Sequence, residues 1–364
     1  MSLFIDLTSI KDNIDYIRKI TKKEIMAVIK DNAYGIGSTI MLKILKESNV
    51  KWIVYNKYQE YIVDSLYNQD FNILILEGIS RINSPSYSNN LYYSVNSIYD
   101  VNVIKNIKTK VNIHIQIDSG MNREGINNKA EFINVMKILK NNKNINIDGI
   151  YTHFSSEDSD FIFYDKELCK FKEYLKDYSF NNIHTVATPS LNKEIIGNMV
   201  RIGLALYGYG NRYINLTPSI SYTCNLIKKY KVLKGEYIGY NKKYKAEEDL
   251  VVGLVDIGYS DICDILYLSS NNTRYYTIGS SCMNHMFIKL DNEINNLTRL
   301  NVLSKNDIIS INNNNWYHIL MSIRSVPKNY IRRDNYDISI VYQRTSKTYQ
   351  EYRIRRRSNK AIST

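Results

Sequence analysis

The chain has 364 residues, of which 44% are hydrophobic and 23% charged, and its formal net charge is +12. This balance is typical of a soluble globular protein with two domains, or with one barrel and an appendage. Because no stretch approaches 18 consecutive apolar residues, a membrane-spanning chain is excluded. The start, MSLFIDLTSIKDN, has neither the basic nor the apolar region of a secretory signal, so we expect a cytoplasmic protein.

The positive charge is spread along the whole chain, and the densest basic cluster is YRIRRRSNK at 352–360. We interpret this cluster as a solvated or interacting tail, with contact to nucleic acid as the less favoured alternative. The cysteines lie far apart, with neither a CxxC pair nor a histidine at metal-ligand spacing. We therefore expect free thiols and no metal site at Cys169, Cys224, Cys263 and Cys282.

A helix is predicted to begin after Thr8 or Ser9, because the isoleucines from Ile10 to Ile20 recur on one helical face. Eight strand-like runs follow: EIMAVIK, KWIVYN, NILILE, YYSVN, NIHIQID, IDGIYTH, HTVA and MVRIG. Helical stretches such as STIMLKILKES, NKYQEYIVDSLY, EFINVMKILKN and KELCKFKEYLKD lie between them. This alternation favours an α/β fold with a (β/α)₈ TIM barrel. An open doubly wound sheet remains the alternative, because periodicity does not show whether the sheet closes.

From about residue 215 the chain reads as strands without intervening helices, in runs such as DLVVGLVDIG, RYYTIGSSCMNHMFIKL and DIISINNN. A mostly-β domain is therefore predicted after the barrel. We place the barrel at 9–214 and the β domain at 215–340, with residues 1–8 contributing a strand to the latter. The remainder, 341–364, is predicted to be a basic C-terminal tail.

Five polar residues lie at or near the ends of predicted barrel strands, where barrel active sites form. They are Lys30, Arg123, His153, Thr188 and Arg201. A lysine in a partly dehydrated pocket has a lowered pKa, which makes it a nucleophile toward aldehydes. Backbone N–H groups near the seventh and eighth strands suit a phosphate. Pyridoxal 5′-phosphate (PLP), an aldehyde that carries a phosphate, satisfies both requirements.

The run AVIKDNAYGIG resembles the PLP-lysine signature of alanine racemases, which is typically AVVKANAYGHG. The resemblance continues in order through HIQIDSGMNREG, DGIYTHFSSED, NMVRIGLALYGYG, GEYIGYNKKY, DIGYSDI, GSSCMNHM and YHILMSIRSVP, over about residues 3–330. It implies a homodimeric, PLP-dependent amino-acid racemase with a barrel followed by a β domain. Alanine is the first substrate to expect.

The resemblance assigns the two catalytic acid–bases to Lys30, which would also bind PLP covalently, and to Tyr240 from the partner subunit. Racemisation needs two such groups on opposite faces of the cofactor, because a single base would return the proton to the face from which it came. Tyr259 follows Tyr240 by 19 residues, which matches the spacing in the family.

The resemblance also implies how the other matching residues act. Arg201 would donate to the pyridine nitrogen, which weakens the ring as an electron sink and disfavours side reactions. His153 would pack near the ring and its hydrogen-bond network. The phosphate would be held by Tyr34, Thr188, Tyr317 and the backbone N–H groups around Gly203 and Leu204. The substrate would contact Arg123 of the same subunit and Tyr259 and Met283 of the partner subunit.

Several positions depart from the family pattern. Gln116 stands where many members have a lysine, often carbamylated, and Arg123 thereby loses a charged neighbour. We hypothesise that a bound chloride or the substrate carboxylate supplies the counter-charge. Asn241 replaces the glycine after the catalytic tyrosine, and Ile262, Asn284 and His285 change the entrance to the site.

These departures leave several alternatives open. The substrate is alanine, serine or another amino acid of a specialised pathway, and an inactive or weakly active paralogue that still carries PLP is a further interpretation. A PLP-dependent decarboxylase of the same fold is the closest enzyme rival, although Arg201 and Tyr240 speak against it.

Overall fold

The computed structural model describes residues 1–156, 160–263, 265–290, 299–303, 316–334, 337–343 and 349–352. It divides into two compact units. One consists of Ile10–Thr217, and the other of Met1–Ser9 together with Pro218–Thr364.

The first unit is a closed barrel in which each strand pairs in parallel with the next, and the last pairs with the first. Its strands are β2 (Glu24–Val28), β3 (Trp52–Tyr55), β4 (Asn72–Gly78), β5 (Leu91–Val95), β6 (Val111–Ile117), β7 (Ile145–Thr152), β8 (Asn182–Ala187) and β9 (Met199–Ile202). The predicted TIM barrel is confirmed, and each of the eight predicted strands overlaps an observed one. Closure rules out the open sheet.

Helices cross between most of these strands. They are α1 (Leu7–Thr21), α3 (Ser38–Glu47), α4 (Tyr58–Val63), α5 (Ile98–Ile104), α6 (Lys129–Lys140) and α7 (Phe161–Leu175), with a short segment, α2 (Lys30–Tyr34), after β2. Between β4 and β5 the chain forms only a 3-10 turn, Ile79–Arg81. The prediction for Ile20 is wrong, because this side chain is 40% exposed. At 100° per residue, Ile20 points about 80° away from the direction of Ile10.

The second unit contains a ten-stranded sheet in the order β13-β16-β15-β14-β17-β10-β1-β18-β19-β20. Its strands are β1 (Ser2–Asp6), β10 (Ile220–Val232), β13 (Leu250–Val255), β14 (Tyr267–Ser270), β15 (Thr273–Ile278), β16 (Met286–Leu290), β17 (Arg299–Leu303), β18 (Lys328–Asp334), β19 (Asp337–Gln343) and β20 (Tyr349–Tyr352). A two-stranded sheet joins β11 (Tyr237–Ile238) to β12 (Tyr244–Lys245), and one further helix is α8 (Trp316–Ser322).

The N-terminal strand β1 belongs to this second sheet, where it pairs with β10 in antiparallel and with β18 in parallel register. The segment predicted as a tail begins within β19 and continues through β20, and residues 353–364 lie outside the described residues. The predicted strand at 307–314 also lies outside them. No helix in the described ranges has the length and apolar character needed to cross a membrane.

The barrel interior has an apolar and a polar part. Met26, Trp52, Val54, Leu74 and Met199 form one buried apolar cluster. Barrel interiors are usually filled with branched apolar side chains. Here, however, fully buried polar side chains also lie inside the barrel: Ser94, His114 and His184. Because buried polar residues are unusual in a barrel interior, this part of the barrel is a candidate for the functional site.

Candidate functional site

The ends of β2, β7, β8 and β9 carry the residues predicted for the barrel site. Lys30 follows β2 by two residues, His153 follows β7 directly, Thr188 follows β8 directly, and Arg201 lies in β9. Because parallel strands end at the same rim of a barrel, these side chains converge there. Lys30 had been expected at the end of the first strand, but β2 ends at Val28 and Lys30 opens α2.

Segment α2 is a left-handed turn. Asp31, Asn32, Ala33 and Tyr34 all have φ between 53° and 57°. The left-handed conformation costs about 1–2 kcal/mol for a residue such as Ala33 or Tyr34 and less for Asp31 and Asn32, so Ala33 and Tyr34 alone store about 2–4 kcal/mol that other contacts must offset. Backbone strain of this size next to Lys30 indicates that the position of this lysine is functionally constrained.

Burial lowers the pKa of the Lys30 amine below its ordinary value. Asp31 and Glu60 raise this pKa through their negative charges, whereas the positive charge of Arg123 lowers it. The Lys30 Nζ atom lies 6.0 Å from the centre of the Tyr34 ring. A larger neutral fraction makes the amine a better nucleophile toward an aldehyde, which agrees with the predicted role of Lys30.

Arg201 is buried and held by acceptors on three sides. Its Nη1 lies 2.6 Å from the His184 carbonyl oxygen and 2.6 Å from His184 Nδ1, and its Nη2 lies 2.6 Å from the Thr152 carbonyl oxygen. Its Cζ atom lies 5.1 Å from the centre of the Tyr151 ring. Burial lowers the pKa of Arg201 to about 10, so the side chain remains a cation at neutral pH. The guanidinium is thus fixed in orientation and in charge.

Two buried imidazoles, those of His184 and His114, extend in series from Arg201. The positions of their protons follow from the hydrogen-bonding properties of arginine. Arginine only donates, so His184 Nδ1 must accept and its proton must sit on Nε2. This proton points at His114 Nδ1, 2.8 Å away, which places the remaining proton of His114 on Nε2. His114 Nε2 in turn faces Asp148 Oδ2 at 3.5 Å. We call Arg201, His184, His114 and Asp148 the histidine relay.

Both imidazoles of the histidine relay are neutral. Burial lowers the pKa of His184 well below its usual range, and the positive charge of Arg201 lowers it further. Burial also lowers the pKa of His114, although Asp148 opposes this effect. For Asp148, burial acts to raise the pKa, but the nearby His114 and hydrogen bonds from Asn181 and Asn182 outweigh it, and the pKa is lowered. The only negative charge of the relay therefore lies at the end far from Arg201.

The Gln116 side chain forms its hydrogen bonds with groups other than Arg123. Its Nε2 donates to the Glu124 carbonyl oxygen at 2.9 Å, and its Oε1 accepts from the Tyr151 hydroxyl at 2.8 Å. The Arg123 side chain is exposed, and its guanidinium forms no ion pair with any residue that the structure describes. Asp118 instead orders the loop that carries Arg123, by accepting its backbone N–H at 3.1 Å.

A narrow cradle lies between β8, β9 and α2. The Thr188 Oγ1 atom lies 3.3 Å from the backbone nitrogens of Gly203 and Ala205. A Cβ placed on Gly203 would lie 2.1 Å from the Tyr34 hydroxyl oxygen, so only glycine allows this close approach. Leu204 begins the 3-10 turn that follows Gly203. Hydroxyl and backbone groups that converge in this way have the donor chemistry that a phosphate needs.

His153 lies beside Arg201, with its Nδ1 atom 3.5 Å from Nη2. Burial lowers the pKa of His153 to about 3, and the positive charges of Arg201, Arg123 and Lys30 add to this effect. The imidazole is therefore neutral at physiological pH. It can pack against a planar ring without adding a further positive charge.

Four predicted site residues belong to the second unit: Tyr240, Tyr259, Met283 and Tyr317. All four are exposed, Tyr240 by 66% and both Tyr259 and Met283 by 56%. Tyr259 and Met283 lie on neighbouring loops, because the Tyr259 N–H donates to the Cys282 carbonyl oxygen at 3.1 Å and the Ser260 N–H donates to that of Met283 at 3.0 Å. Tyr317 lies in α8.

Asn241 adopts φ 60° and ψ 16°, which is the left-handed conformation. Asparagine takes this conformation more readily than other residues with a Cβ. The replacement of the family's glycine at this position thus leaves the turn after Tyr240 in a conformation that glycine would also adopt.

Sequence reasoning missed His114, His184 and Asp148 as parts of the site. The signal was available in the predicted strands NIHIQID, IDGIYTH and HTVA, in which a polar residue interrupts a run that should be buried on both faces. The sequences of these strands do not show which of the three residues contact one another in the folded barrel.

The chain is similar to a family of known proteins over most of its length. Residues 5–211 match the family model "Alanine racemase, N-terminal domain", and residues 219–325 match "Alanine racemase, C-terminal domain". An alanine racemase of Fusobacterium nucleatum is 30% identical over 316 residues, which cover 81% of this chain and 88% of that protein. One from Helicobacter pylori is 27% identical over 318 residues, covering 79% and 84% respectively.

Solved structures show the same fold. The alanine racemase from Bacillus anthracis with bound L-Ala-P superposes with a TM-score of 0.75 at 24% identity, covering 94% of this chain and 97% of that one. The alanine racemase from Bartonella henselae with covalently bound pyridoxal phosphate gives a TM-score of 0.78 at 19% identity, covering 91% and 99%.

Proposed function

The chain belongs to the alanine racemase family, and from this premise we infer that it is a PLP-dependent isomerase that interconverts L- and D-alanine. The observation that carries this inference is the placement of Lys30 and the fixed Arg201 cation at the same rim of the barrel, where the charges of both act on His153. The residues there fit PLP, because they offer a partly neutral amine, a donor for a ring nitrogen and a cradle with glycine at its closest point. When bound, PLP supplies an electron-withdrawing ring that stabilises negative charge on the α-carbon of an amino acid.

We propose that Lys30 binds the cofactor through its amine, and that Tyr34, Thr188, Tyr317 and the backbone around Gly203 and Leu204 hold the phosphate. Arg201 donates to the pyridine nitrogen, which it can do only while that nitrogen is unprotonated. The histidine relay supports this role, because both imidazoles carry their proton on the nitrogen that faces away from Arg201, and His184 Nδ1 accepts from Nη1 and so fixes the guanidinium. His153 packs at the ring as a neutral group.

The two proton carriers are the Lys30 amine on one face and the Tyr240 phenol of a second copy of the chain on the other. A homodimer is therefore part of the proposal, and the exposure of Tyr240, Tyr259 and Met283 in the single chain supports it. Each carrier removes the α-proton of one enantiomer and delivers a proton to form the other. General acid–base groups of this kind contribute rate factors of about 10²–10⁴.

Substrate would be oriented by Arg123, with Tyr259 and the backbone of Met283 from the second copy. Since the guanidinium of Arg123 has no counter-charge among the described residues, the carboxylate of the amino acid fits it. A chloride at the same place is the alternative. It predicts rates that depend on chloride concentration, whereas a carboxylate contact predicts rates that do not.

The test is incubation of the purified protein and PLP with a panel of L-amino acids in D₂O, analysed by chiral chromatography and mass spectrometry. We expect D-alanine that carries one deuterium at the α-carbon. Faster conversion of serine or another amino acid would change the substrate but keep the reaction. Release of carbon dioxide, or no α-proton exchange with any amino acid, would refute the proposal.

A further inference from the structure

The strained turn α2 is held at both ends by carboxylates from α4 and the residue that follows it. Glu60 contacts the start of the turn, and Asp64, four residues later, contacts the chain just beyond it. Residues four apart on a helix lie on one face, so both carboxylates reach the same loop. This pair, which we call the carboxylate clamp, is not part of the site described above.

Glu60 connects the segment after β2 to the segment after β3. Its Oε1 accepts the backbone N–H of Asp31, the residue that follows Lys30. Its Oε2 accepts the backbone N–H groups of Asn56 and Lys57 at 3.0 and 2.9 Å. Hydrogen bonds to a carboxylate are stronger than those between neutral groups, so three of them form a firm anchor.

Asp64 fixes the other end of the loop. Its Oδ1 accepts the Ser38 hydroxyl at 2.7 Å, and its Oδ2 accepts the Tyr55 hydroxyl at 3.0 Å. The Ser38 backbone N–H donates to Asn32 Oδ1 at 2.7 Å, which closes the loop on itself. Asp64 and Ser38 are both buried, so neither group can exchange its partner for water without rearrangement.

The turn needs such anchors because, although Asp31 and Asn32 tolerate φ above zero, Ala33 and Tyr34 do not favour it. Its four left-handed residues all carry a Cβ, whereas glycine would adopt this conformation freely. The Tyr207 hydroxyl, which donates to the Ala33 carbonyl oxygen at 2.8 Å, adds one further contact. If the start of the turn were released, it would relax, and the backbone of Lys30 would turn with it.

We propose that Glu60 is a positioning residue that, together with Asp64, locks the left-handed turn and thereby directs the Lys30 amine toward the cofactor. This inference rests on the proposed function of Lys30, but the state of the turn can be measured without cofactor. The charge of Glu60 also acts on Lys30, since it favours the protonated amine.

The test compares Glu60→Gln with Glu77→Gln in the full chain. Glu77 is the matched control, because its Oε2 also accepts a backbone N–H of α4, that of Tyr58 at 3.0 Å, without contacting the loop. Hydrogen–deuterium exchange without PLP should show at least tenfold faster exchange of the amides of 30–38 in Glu60→Gln only. PLP affinity, followed by titration, should fall about tenfold, which corresponds to 1.4 kcal/mol.

A rescue variant separates positioning from charge. Ala33→Gly removes one of the four Cβ atoms of the left-handed turn, at a position with φ 53°, and keeps its backbone contacts. Because glycine adopts this conformation without strain, the variant Glu60→Gln with Ala33→Gly should recover most of the lost PLP affinity and slow exchange again. If Glu60→Gln does not fold, Ser38→Ala, which releases only the Asp64 end, should still speed exchange near residue 38.

Two results would overturn the inference. One is unchanged exchange at 30–38 in both Glu60→Gln and Ser38→Ala. The other is a loss of PLP affinity that Ala33→Gly does not restore, or that Glu77→Gln reproduces. A wild-type chain that fails to bind PLP would instead refute the proposed function, while the exchange comparison would still report on the carboxylate clamp.

Discussion

Replacing His184 tests whether the histidine relay holds Arg201 in place. Leucine has a similar volume to histidine but neither donates nor accepts hydrogen bonds, so His184→Leu removes the polar contacts and largely preserves the packing. Glutamine carries an acceptor and a donor at nearly the spacing of the two ring nitrogens. His184→Gln therefore retains the contacts to Arg201 and His114 and serves as the matched control.

The magnitude follows from the groups that lose partners. Arg201 Nη1 loses an acceptor at 2.6 Å, and hydrogen bonds to charged groups contribute about 1.5–3 kcal/mol. His114 Nδ1 loses a donor at 2.8 Å, and a buried group left without a partner costs about 1–3 kcal/mol. We therefore expect His184→Leu to lower the free energy of unfolding by about 2.5–6 kcal/mol, and His184→Gln by less than half as much.

Urea denaturation of the cofactor-free chain, followed by circular dichroism and tryptophan fluorescence, measures both values. Trp52 is a suitable reporter, since its ring centre lies 5.6 Å from that of His114. Equal stability of the two variants, or a more stable leucine variant, would refute the reasoning. Buried polar groups can sometimes be exchanged for apolar ones without loss, and such a result would show that Arg201 does not depend on His184.

Three further predictions concern the cofactor, the second proton carrier and pH. Lys30→Ala should abolish the visible absorbance that the protein retains after unbound PLP has been removed, as recorded by spectrophotometry. Tyr240→Phe should slow racemisation about 10²–10⁴-fold, while α-deuterium exchange, measured by mass spectrometry, persists for the enantiomer that Lys30 serves. The lowered pKa values of His114 and His184 keep both neutral in the folded state, while the unfolded state binds protons below about pH 6.5. Stability should therefore fall as the pH drops below about 6.5, and less so in His184→Gln, as measured by urea denaturation.

The barrel strands could be predicted because their sequences repeat a simple pattern. Strands of a parallel barrel are buried on both faces, so each appears as a short apolar run, and the helices between them show a longer period. The element boundaries were less accurate. The strand with Lys30 ends two residues earlier than the pattern indicates, because the chain turns into a left-handed conformation that apolar periodicity does not encode.

The sequence alone determined the order of the elements, the family and the chemical identity of Lys30, Arg201 and Tyr240, since these depend on residue types in a fixed order. Tertiary structure alone decided which polar side chains meet. His114 and His184 are 70 residues apart, and Glu60 and Asp31 are 29 apart, yet each pair is joined by a hydrogen bond. Barrel closure and helix packing create these contacts. The turn after Lys30 contains no glycine, and only Asp31 and Asn32 tolerate its left-handed form, so Ala33 and Tyr34 depend on the anchors that the fold brings to them.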